Sequence, residues 1–251
     1  MNLVRILNIN INSIYRNDLL SKIEEGIVFT PNLDHLVKLQ KDRRFYDAYK
    51  KADWIICDSR IICLFSRIFK EKIKEAIPGS SFFTEFYNYH KNNKNMKIFL
   101  LGAAESVAEI AKNKINSRLE RTMVIGSHSP SFGFEKNDEE CDEIVSIINK
   151  SEANVLVVGV GAPKQEKWIV KYKDKLPKVK IFMALGATID FEAGNITRAP
   201  KFFQFVGLEW FYRLIKEPKR LWKRYLIDDI PFFYLILKQK LGIYKNPFSN
   251  L

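Results

Sequence analysis

The chain has 251 residues, enough for one large or two small domains and for a full hydrophobic core. Hydrophobic residues make up 47% and charged residues 28%, a balance that excludes a disordered tail, a collagen and a multi-span membrane protein. The formal net charge of +12 predicts attraction to an anionic partner, which could be nucleic acid, a phosphorylated substrate or a membrane face.

The cysteines and the N-terminus indicate a cytoplasmic protein. Cys57, Cys63 and Cys141 have no metal-ligand spacing, and their odd number argues against a disulfide framework. The first residues do not form the apolar stretch of a signal peptide, and no apolar run approaches the ~20 residues that span a bilayer. We therefore expect a cytoplasmic chain without a structural zinc.

Up to residue 197, short apolar runs alternate with longer amphipathic stretches, which is typical of a parallel sheet wrapped by helices. Apolar spacing predicts one helix over 33–49 and another over 107–115. The fold class we predict is α/β, with a doubly wound, Rossmann-like parallel sheet, helices on both faces and ligands beyond the carboxyl ends of the strands. The predicted strands are 26–30, 54–57, 97–101, 122–126, 155–160 and 180–185.

The last fifth of the chain has a different composition. Residues 198–251 hold eleven Lys and Arg against four acidic residues, a charge of +7, and thirteen of the 33 aromatic residues. Together these features favour an anionic membrane surface. We predict two domains: a core over 1–197, and a helical appendage over 198–251 that associates with the membrane and completes the active site.

The first polar strand end follows the strand predicted at 26–30. Thr30 is a candidate helix cap, and Pro31 suits the first turn of that helix. Asn32 then lacks a structural role, and a helix N-terminus is a natural site for a phosphate or a sugar hydroxyl. Capping alone remains the alternative for this segment.

The second strand end carries Asp58, directly after the apolar run 54–57. Capping of the next helix is the simpler role for this carboxylate. At the ligand edge of the sheet, however, Asp58 could accept a proton from an attacking hydroxyl. No second carboxylate pairs with it in the sequence, so a two-carboxylate hydrolase gains no support.

The third strand end is the glycine-rich turn from Gly159 through Gly161 and Pro163 to Gln165 and Glu166. A dinucleotide fingerprint requires a further glycine where Lys164 stands, and the spacing does not fit a Walker loop. The turn therefore predicts a nucleotide-phosphate or ribose site built from backbone amides, with Gln165 and Glu166 reaching inward. The alternative is an amphipathic surface helix.

Two C-terminal segments complete the candidates. Asp190 and Arg198 lie in a glycine-containing stretch after the last predicted strand. Arg213, Arg220 and Arg224 are seven and four residues apart, which places them on one helical face if the helix persists through Pro218 or resumes after it. Such a cluster suits a diphosphate, although a solvated basic helix remains possible.

Taken in order, these segments resemble the WecG/TagA/CpsF family of bacterial glycosyltransferases, glycosyltransferase family 26. The ordered set is far more specific than any one segment, and it covers most of the chain. The matching pieces are Thr30-Pro-Asn32-Leu-Asp34-His35, Ala52 to Asp58, Gly159 to Glu166, Ala193-Gly194 with Arg198-Ala-Pro200, and Glu209-Trp210 through Arg224-Tyr225.

The resemblance implies transfer of a hexose such as N-acetylmannosamine from a UDP-sugar to a polyprenyl-diphosphate-linked saccharide in cell-surface polysaccharide synthesis. It further implies inversion at the anomeric carbon, no essential metal, no cofactor, and peripheral attachment to the inner face of the cell membrane. Asp58 would be the general base, with Thr30 and Asn32 holding a sugar beside it. The substrate-binding residues would be Gly159, Gly161, Pro163, Gln165, Glu166, Asp190, Arg198, Arg213, Arg220 and Arg224.

Two positions depart from the family pattern. Ser59 follows Asp58 where the family usually has glycine, and Ala76 stands where it commonly has an arginine. Either Lys74 or Arg60 is expected to replace that arginine.

Two other classes compete with the glycosyltransferase. A nucleic-acid-binding α/β protein would also combine basic and aromatic residues, but here the charge is confined to a segment with apolar clusters, which argues against nucleic acid as a partner. A nucleotide-cofactor oxidoreductase is disfavoured by the missing glycine. The sequence leaves open the donor sugar, the acceptor glycan and whether the chain forms a homo-oligomer.

Overall fold

The computed structural model describes residues 2–200, 203 and 208–249. Its strands are β1 (Leu3–Ile6), β2 (Ile9–Asn12), β3 (Gly26–Phe29), β4 (Trp54–Ile55), β5 (Ile98–Gly102), β6 (Val124–His128), β7 (Val155–Gly159) and β8 (Ile181–Ala184). The last six form a parallel sheet in the spatial order β4-β3-β8-β7-β5-β6. These six strands were all predicted, whereas the antiparallel hairpin β1-β2 was not.

The helices that precede the C-terminal segment are α1 (Arg16–Lys22), α2 (Leu33–Lys38), α3 (Arg43–Tyr49), α4 (Arg60–Ser66), α5 (Gly79–Tyr89), α6 (Val107–Leu119), α7 (Asp138–Ser151), α8 (Lys164–Tyr172) and α9 (Thr188–Ala193). The prediction of one helix over 33–49 is wrong, because α2 and α3 are separate. The side chain of Asp42 accepts a hydrogen bond of 3.0 Å from the backbone N–H of Phe45, so a new helix begins there.

Alternate strand residues bury themselves on opposite faces of the sheet, as the period-two geometry of a strand requires. In β7, Leu156 and Val158 belong to one hydrophobic cluster, while Val155 and Val157 belong to the other. The first cluster includes residues of the hairpin and of α2, α3, α7 and α8, and the second includes residues of α1, α5, α6 and α9. Helices therefore cover both faces, and the predicted doubly wound fold is confirmed.

The described part of the C-terminal segment is helical, as predicted: α10 (Glu209–Lys216), α11 (Pro218–Lys223), a π-helical turn (Arg224–Asp228) and α12 (Pro231–Lys240). Phe232 and Ile236 of α12 are buried in the first cluster of the core. Gln239 donates to the carbonyl of Arg5 at 2.8 Å and accepts from the N–H of Leu7 at 2.6 Å. The hairpin thus holds α12 against the α/β core. The domain boundary between 197 and 198 stays a prediction, and it divides segments that share one hydrophobic cluster.

Candidate active site

A cavity of about 1150 Å³ lies at the carboxyl edge of the sheet. Its walls include Thr30 after β3, Asp58 after β4, Gly161 after β7 and Gly186 after β8. Residues from four separate strand ends therefore meet at one place, where a doubly wound sheet binds its ligand.

A second cavity of about 270 Å³ adjoins the first. Side chains from the C-terminal helices form much of its wall, among them Trp210, Tyr225 and Phe233. Residues common to the walls of both cavities mark the boundary between them, and they are Asn32, Asp58, Ser80, Phe191, Arg213 and Arg224.

Asp58 is held at this boundary by backbone contacts. Its N–H donates to the carbonyl of Pro31 at 3.1 Å, and its Oδ1 accepts from the N–H of Gly79 at 2.8 Å. Gly79 is the first residue of α5, so the carboxylate lies at the positive end of a helix dipole. The capping alternative for the next helix is wrong, because Ser59 caps α4.

Burial raises the pKa of Asp58 to about 6. The hydrogen bond from Gly79 and the positive charges of Arg213 and Arg224 act in the opposite direction, whereas the carboxylate of Glu209 raises the pKa further. Asp58 is therefore ionised at neutral pH and sits close to the range in which a general base is effective.

The predicted cap at Thr30 is wrong, because α2 begins at Leu33, too far along the chain. Asn32 is the cap, and its Oδ1 accepts from the N–H of His35 at 3.2 Å. The hydroxyl of Thr30 donates to the carbonyl of Ala184 at 3.3 Å and so ties β3 to β8. Capping uses only the amide oxygen of Asn32, and its N–H donors remain available to a ligand in either cavity.

The turn after β7 is more deeply packed than a surface helix would be. Gln165 and Glu166 are 1% and 0% exposed, so both side chains reach inward, whereas Lys171 on the outer face of the same helix is exposed. Gly159 has no room for a side chain, since a Cβ there would lie 2.7 Å from the carbonyl oxygen of Gly186. Gly159, Gly161 and Gln165 line the larger cavity, whereas Pro163, at the start of α8, and Glu166 do not.

Glu166 carries an unusual carboxyl group. Its Oε1 accepts from the side-chain nitrogen of Gln165 at 2.8 Å, while the buried Oε2 has no hydrogen-bond partner in the described part of the chain. Burial raises the pKa of Glu166 to about 7.

Arg213 and Arg224 line both cavities. Of the two possibilities for the backbone, the helix resumes at Pro218 as α11 and does not persist through it from α10. The side chains of Arg213 and Arg224 are partly buried, so neither is fully solvated as it would be on a solvated basic helix. The Nε atoms of both side chains are buried without a hydrogen-bond partner among the described residues, and the Nε of Arg224 lies 3.9 Å from Oδ2 of Asp34. The side chain of Arg220 lies outside the described residues.

Asp190 lines the larger cavity, but Arg198 lines neither. Arg198 donates to the carbonyl of Ser80 at 2.7 Å and to the hydroxyl of Thr84 at 2.9 Å. The guanidinium groups of Arg198 and Arg213 lie 5.9 and 5.5 Å from the centre of the Phe191 ring. Arg198 therefore braces α5 and Phe191 behind the cavity wall.

Several further cavity residues escape prediction from the sequence. His35 ends the matching segment Thr30-Pro-Asn32-Leu-Asp34-His35, but no sequence pattern predicts the hydrogen bond of 2.7 Å between its Nδ1 and the hydroxyl of Tyr49. Burial lowers the pKa of His35 to about 3, so its imidazole is neutral. Glu209 and Asp229 bring carboxylates to the smaller cavity from far along the chain.

The two residues expected to replace the missing family arginine lie in different places. Arg60 lines the smaller cavity. The ammonium group of Lys74 instead lies 5.1 Å from the centre of the Tyr15 ring, and Lys74 is not on the wall of either cavity.

Among the described residues, no group of three or more His, Cys, Asp or Glu side chains is arranged to hold a metal ion.

The two adjoining cavities and the carboxylate between them lie at the edge of the sheet where α/β enzymes bind their ligands. The chain belongs to the WecG/TagA/CpsF family of glycosyl transferases, whose model matches residues 4–246. The resemblance inferred from the motifs is thereby confirmed, and with it the enzyme class, a hexosyltransferase.

Characterised relatives span most of the chain. One from Bacillus subtilis (strain 168), named N-acetylglucosaminyldiphosphoundecaprenol N-acetyl-beta-D-mannosaminyltransferase, is 30% identical over 226 residues, covering 88% of this chain and 84% of the relative. A relative of the same name from Staphylococcus aureus (strain MRSA252) is 30% identical over 203 residues, covering 80% and 75%.

Proposed function

We propose that this protein transfers an N-acetylmannosamine-type hexose from a UDP-sugar to a polyprenyl-diphosphate-linked saccharide, with inversion and with Asp58 as general base. One observation carries the proposal: Asp58 lies on the wall that the two cavities share. A base in that position reaches a donor in one cavity and an acceptor in the other. The names of the Bacillus and Staphylococcus relatives support this choice of sugar and acceptor.

The larger cavity is the donor site in this proposal. At about 1150 Å³ it has room for a nucleoside diphosphate with its sugar. Asp190 and Asn32 offer hydrogen-bonding groups for hydroxyls, and Arg213 and Arg224 offer positive charge for the diphosphate. The place of these two arginines on the wall that both cavities share supports a bound diphosphate there.

The smaller cavity is the acceptor site. Its wall combines the aromatic rings of Trp210 and Tyr225 with the carboxylates of Glu209 and Asp229. Rings that pack against a sugar face and carboxylates that accept from hydroxyls suit a saccharide, and the adjoining apolar side chains of Leu226 and Phe233 suit the start of a lipid.

The chemistry is a single displacement. The acceptor hydroxyl gives its proton to Asp58 while its oxygen bonds to the anomeric carbon, and the bond from that carbon to UDP breaks with its electron pair leaving on the diphosphate. Attack opposite to the leaving group inverts the anomeric centre. Guanidinium groups near the diphosphate can offset the developing negative charge, which supports transfer without a metal.

Membrane association is the remaining part of the proposal. Trp222, Leu226, Ile230 and Leu237 are each about half exposed, and they alternate with basic residues in a segment of charge +7. Among the described residues, no helix is long and apolar enough to cross a membrane. We infer peripheral attachment to an anionic membrane face, since half-exposed aliphatic side chains suit a bilayer interface better than nucleic acid.

The test is a panel of UDP-sugars incubated with a lipid-diphosphate saccharide, with UDP release and product mass as readouts. We expect transfer from one of the sugars in the presence of EDTA, and a single inverted anomer by NMR. Transfer that requires an added divalent cation would contradict the metal-independent mechanism, and absence of transfer from every UDP-sugar would contradict the donor assignment. Nucleic-acid binding without vesicle binding would favour the alternative class.

A further inference from the structure

The side chain of Gln165 joins two turns at the floor of the larger cavity. Its Oε1 accepts from the backbone N–H of Gly161 and from that of Gly186, each at 3.1 Å. Gly161 follows β7 and Gly186 follows β8, and these strands are neighbours in the sheet. One carbonyl oxygen therefore holds together the two turns that lead into α8 and α9.

The two glycines border open space. A Cβ added at Gly161 or at Gly186 would meet no atom within 4 Å, and both residues line the cavity. Their N–H groups nevertheless donate to Gln165. Because an amide oxygen has two lone pairs, both acceptor positions of Gln165 are occupied, and neither glycine N–H is free for a phosphate.

Glu166 determines which way the amide of Gln165 faces. The Nε2 of Gln165 donates to Oε1 of Glu166 at 2.8 Å. A reversed amide would place its NH₂ group against the N–H groups of Gly161 and Gly186, and three donors would then face each other. The acceptor at 166 thus keeps the carbonyl of Gln165 turned toward the glycines.

We propose that Gln165 is a positioning residue for sugar transfer: it sets the separation of the Gly161 and Gly186 turns, and Glu166 fixes its orientation. The turn at Gly186 leads directly into α9, which carries Asp190 and Phe191 on the cavity wall. This strap, the Gln165 side chain with its hydrogen bonds to Gly161 and Gly186, therefore places the residues that face the donor. This inference rests on the proposed function only for its effect on rate, since the hydrogen bonds can be measured without a substrate.

The experiment uses the full chain and two variants. Gln165→Ala removes the acceptor for both glycine amides. In the double variant Gln165→Glu/Glu166→Gln, the carboxylate at 165 accepts from both glycines and the amide at 166 donates to it, so the same contacts form with the acid and the amide exchanged. Lys164→Ala, on the same turn but not on the cavity wall, is the matched control.

The first readout is amide hydrogen exchange of the unliganded proteins, resolved at Gly161 and Gly186. We expect faster hydrogen exchange at both amides in Gln165→Ala. The double variant and the Lys164→Ala control should protect both amides as wild type does. Unchanged protection in Gln165→Ala would overturn the strap. Thermal unfolding is measured in parallel. If Gln165→Ala does not fold, Gln165→Asn takes its place, because the shorter side chain of asparagine cannot reach both glycine amides.

The second readout is steady-state transfer. We expect Gln165→Ala to lower kcat by about 10- to 100-fold, because the residues on the cavity wall are misplaced, with a change of less than about threefold in the donor KM. The kcat of the double variant should be at least about tenfold higher than that of Gln165→Ala. If the double variant protects both glycine amides yet transfers sugar as slowly as Gln165→Ala, then Gln165 contacts the substrate itself and the positioning role is wrong. If neither the wild type nor any variant transfers sugar, but hydrogen exchange at Gly161 and Gly186 changes as expected, then the proposed function is wrong and the strap is not.

Discussion

Asp58 owes its chemical character to residues far from it in the sequence. Gly79 donates to its carboxylate, while Glu209 and Arg213 approach from a helix more than 150 residues away. The strand end and the acidic residue could be predicted, because both lie in one short run of sequence. The shifted pKa could not, because it depends on burial and on charges brought in by the C-terminal helices.

The pH dependence of transfer tests this environment. With the pKa of Asp58 raised to about 6, the base form dominates above that pH, so kcat/KM should be level near neutrality and fall about tenfold per unit of pH below 6. Glu209→Gln removes a negative charge that raises this pKa. The acidic limb of the profile should then move to lower pH, and a limb that stays in place or moves up would contradict the electrostatic account.

Asn32 combines a helix cap with a place on the wall of both cavities, and two substitutions separate these roles. Asn32→Ala removes both and should cost about 0.5–2 kcal/mol of stability together with activity. Asn32→Ser keeps a capping oxygen but loses the amide N–H donors, so stability should stay near wild type while kcat/KM falls. Equal activity of Asn32→Ser and wild type would leave Asn32 with capping alone. Chemical denaturation and transfer kinetics supply the two measurements.

At the scale of elements, the parallel strands are predictable because each is a short apolar run. The hairpin β1-β2 is harder to predict, since each of its strands has only four residues and one residue against the expected pattern: apolar Leu3 is exposed and polar Asn12 is buried. α2 and α3 could not be separated by periodicity, because their apolar residues continue the same helical spacing. The cap at Asp42, which divides them, is a local contact that the spacing of apolar residues does not report.

The docking of α12 on the core gives an element-scale prediction with a matched pair of residues. Phe232 is fully buried and Phe233 is 40% exposed, although both rings lie against Phe65. Phe232→Ala should destabilise the protein by about 3–5 kcal/mol, as expected for a large core ring, and Phe233→Ala by much less. Denaturant unfolding of both variants checks this, and equal, small losses would mean that α12 is dispensable to the fold.

At the scale of the whole molecule, most of the net positive charge lies on the C-terminal segment, and so do most of the exposed large apolar side chains among the described residues. Leu226→Ser should weaken sedimentation with anionic vesicles, because a half-exposed side chain loses its contact with the interface. Ile110→Ser, at a similarly exposed position on α6, is the control and should bind as wild type does. Binding should also fall as salt rises. Equal losses in the two variants would indicate a non-specific effect of surface polarity.

The placement of the site at the carboxyl edge follows from the sequence, because a doubly wound sheet defines that edge. The second cavity does not follow, since its wall joins α4 and the start of α5 to helices at the other end of the chain. The same reason hides Arg60, whose position on that cavity depends on how α10 and the π-helical turn cover it. Contacts between distant segments mark the limit of motif-based prediction here.

The central claim is that Asp58 takes the proton of an acceptor hydroxyl at the junction of two cavities. The direct measurement compares wild type with Asp58→Asn for transfer from a UDP-sugar to the lipid-diphosphate saccharide, with thermal unfolding as a check on folding. The amide oxygen of asparagine can still accept from Gly79 but cannot serve as a base. We expect an intact fold and a loss of about 10²- to 10⁴-fold in kcat. A folded Asp58→Asn protein with near-wild-type turnover would contradict the account.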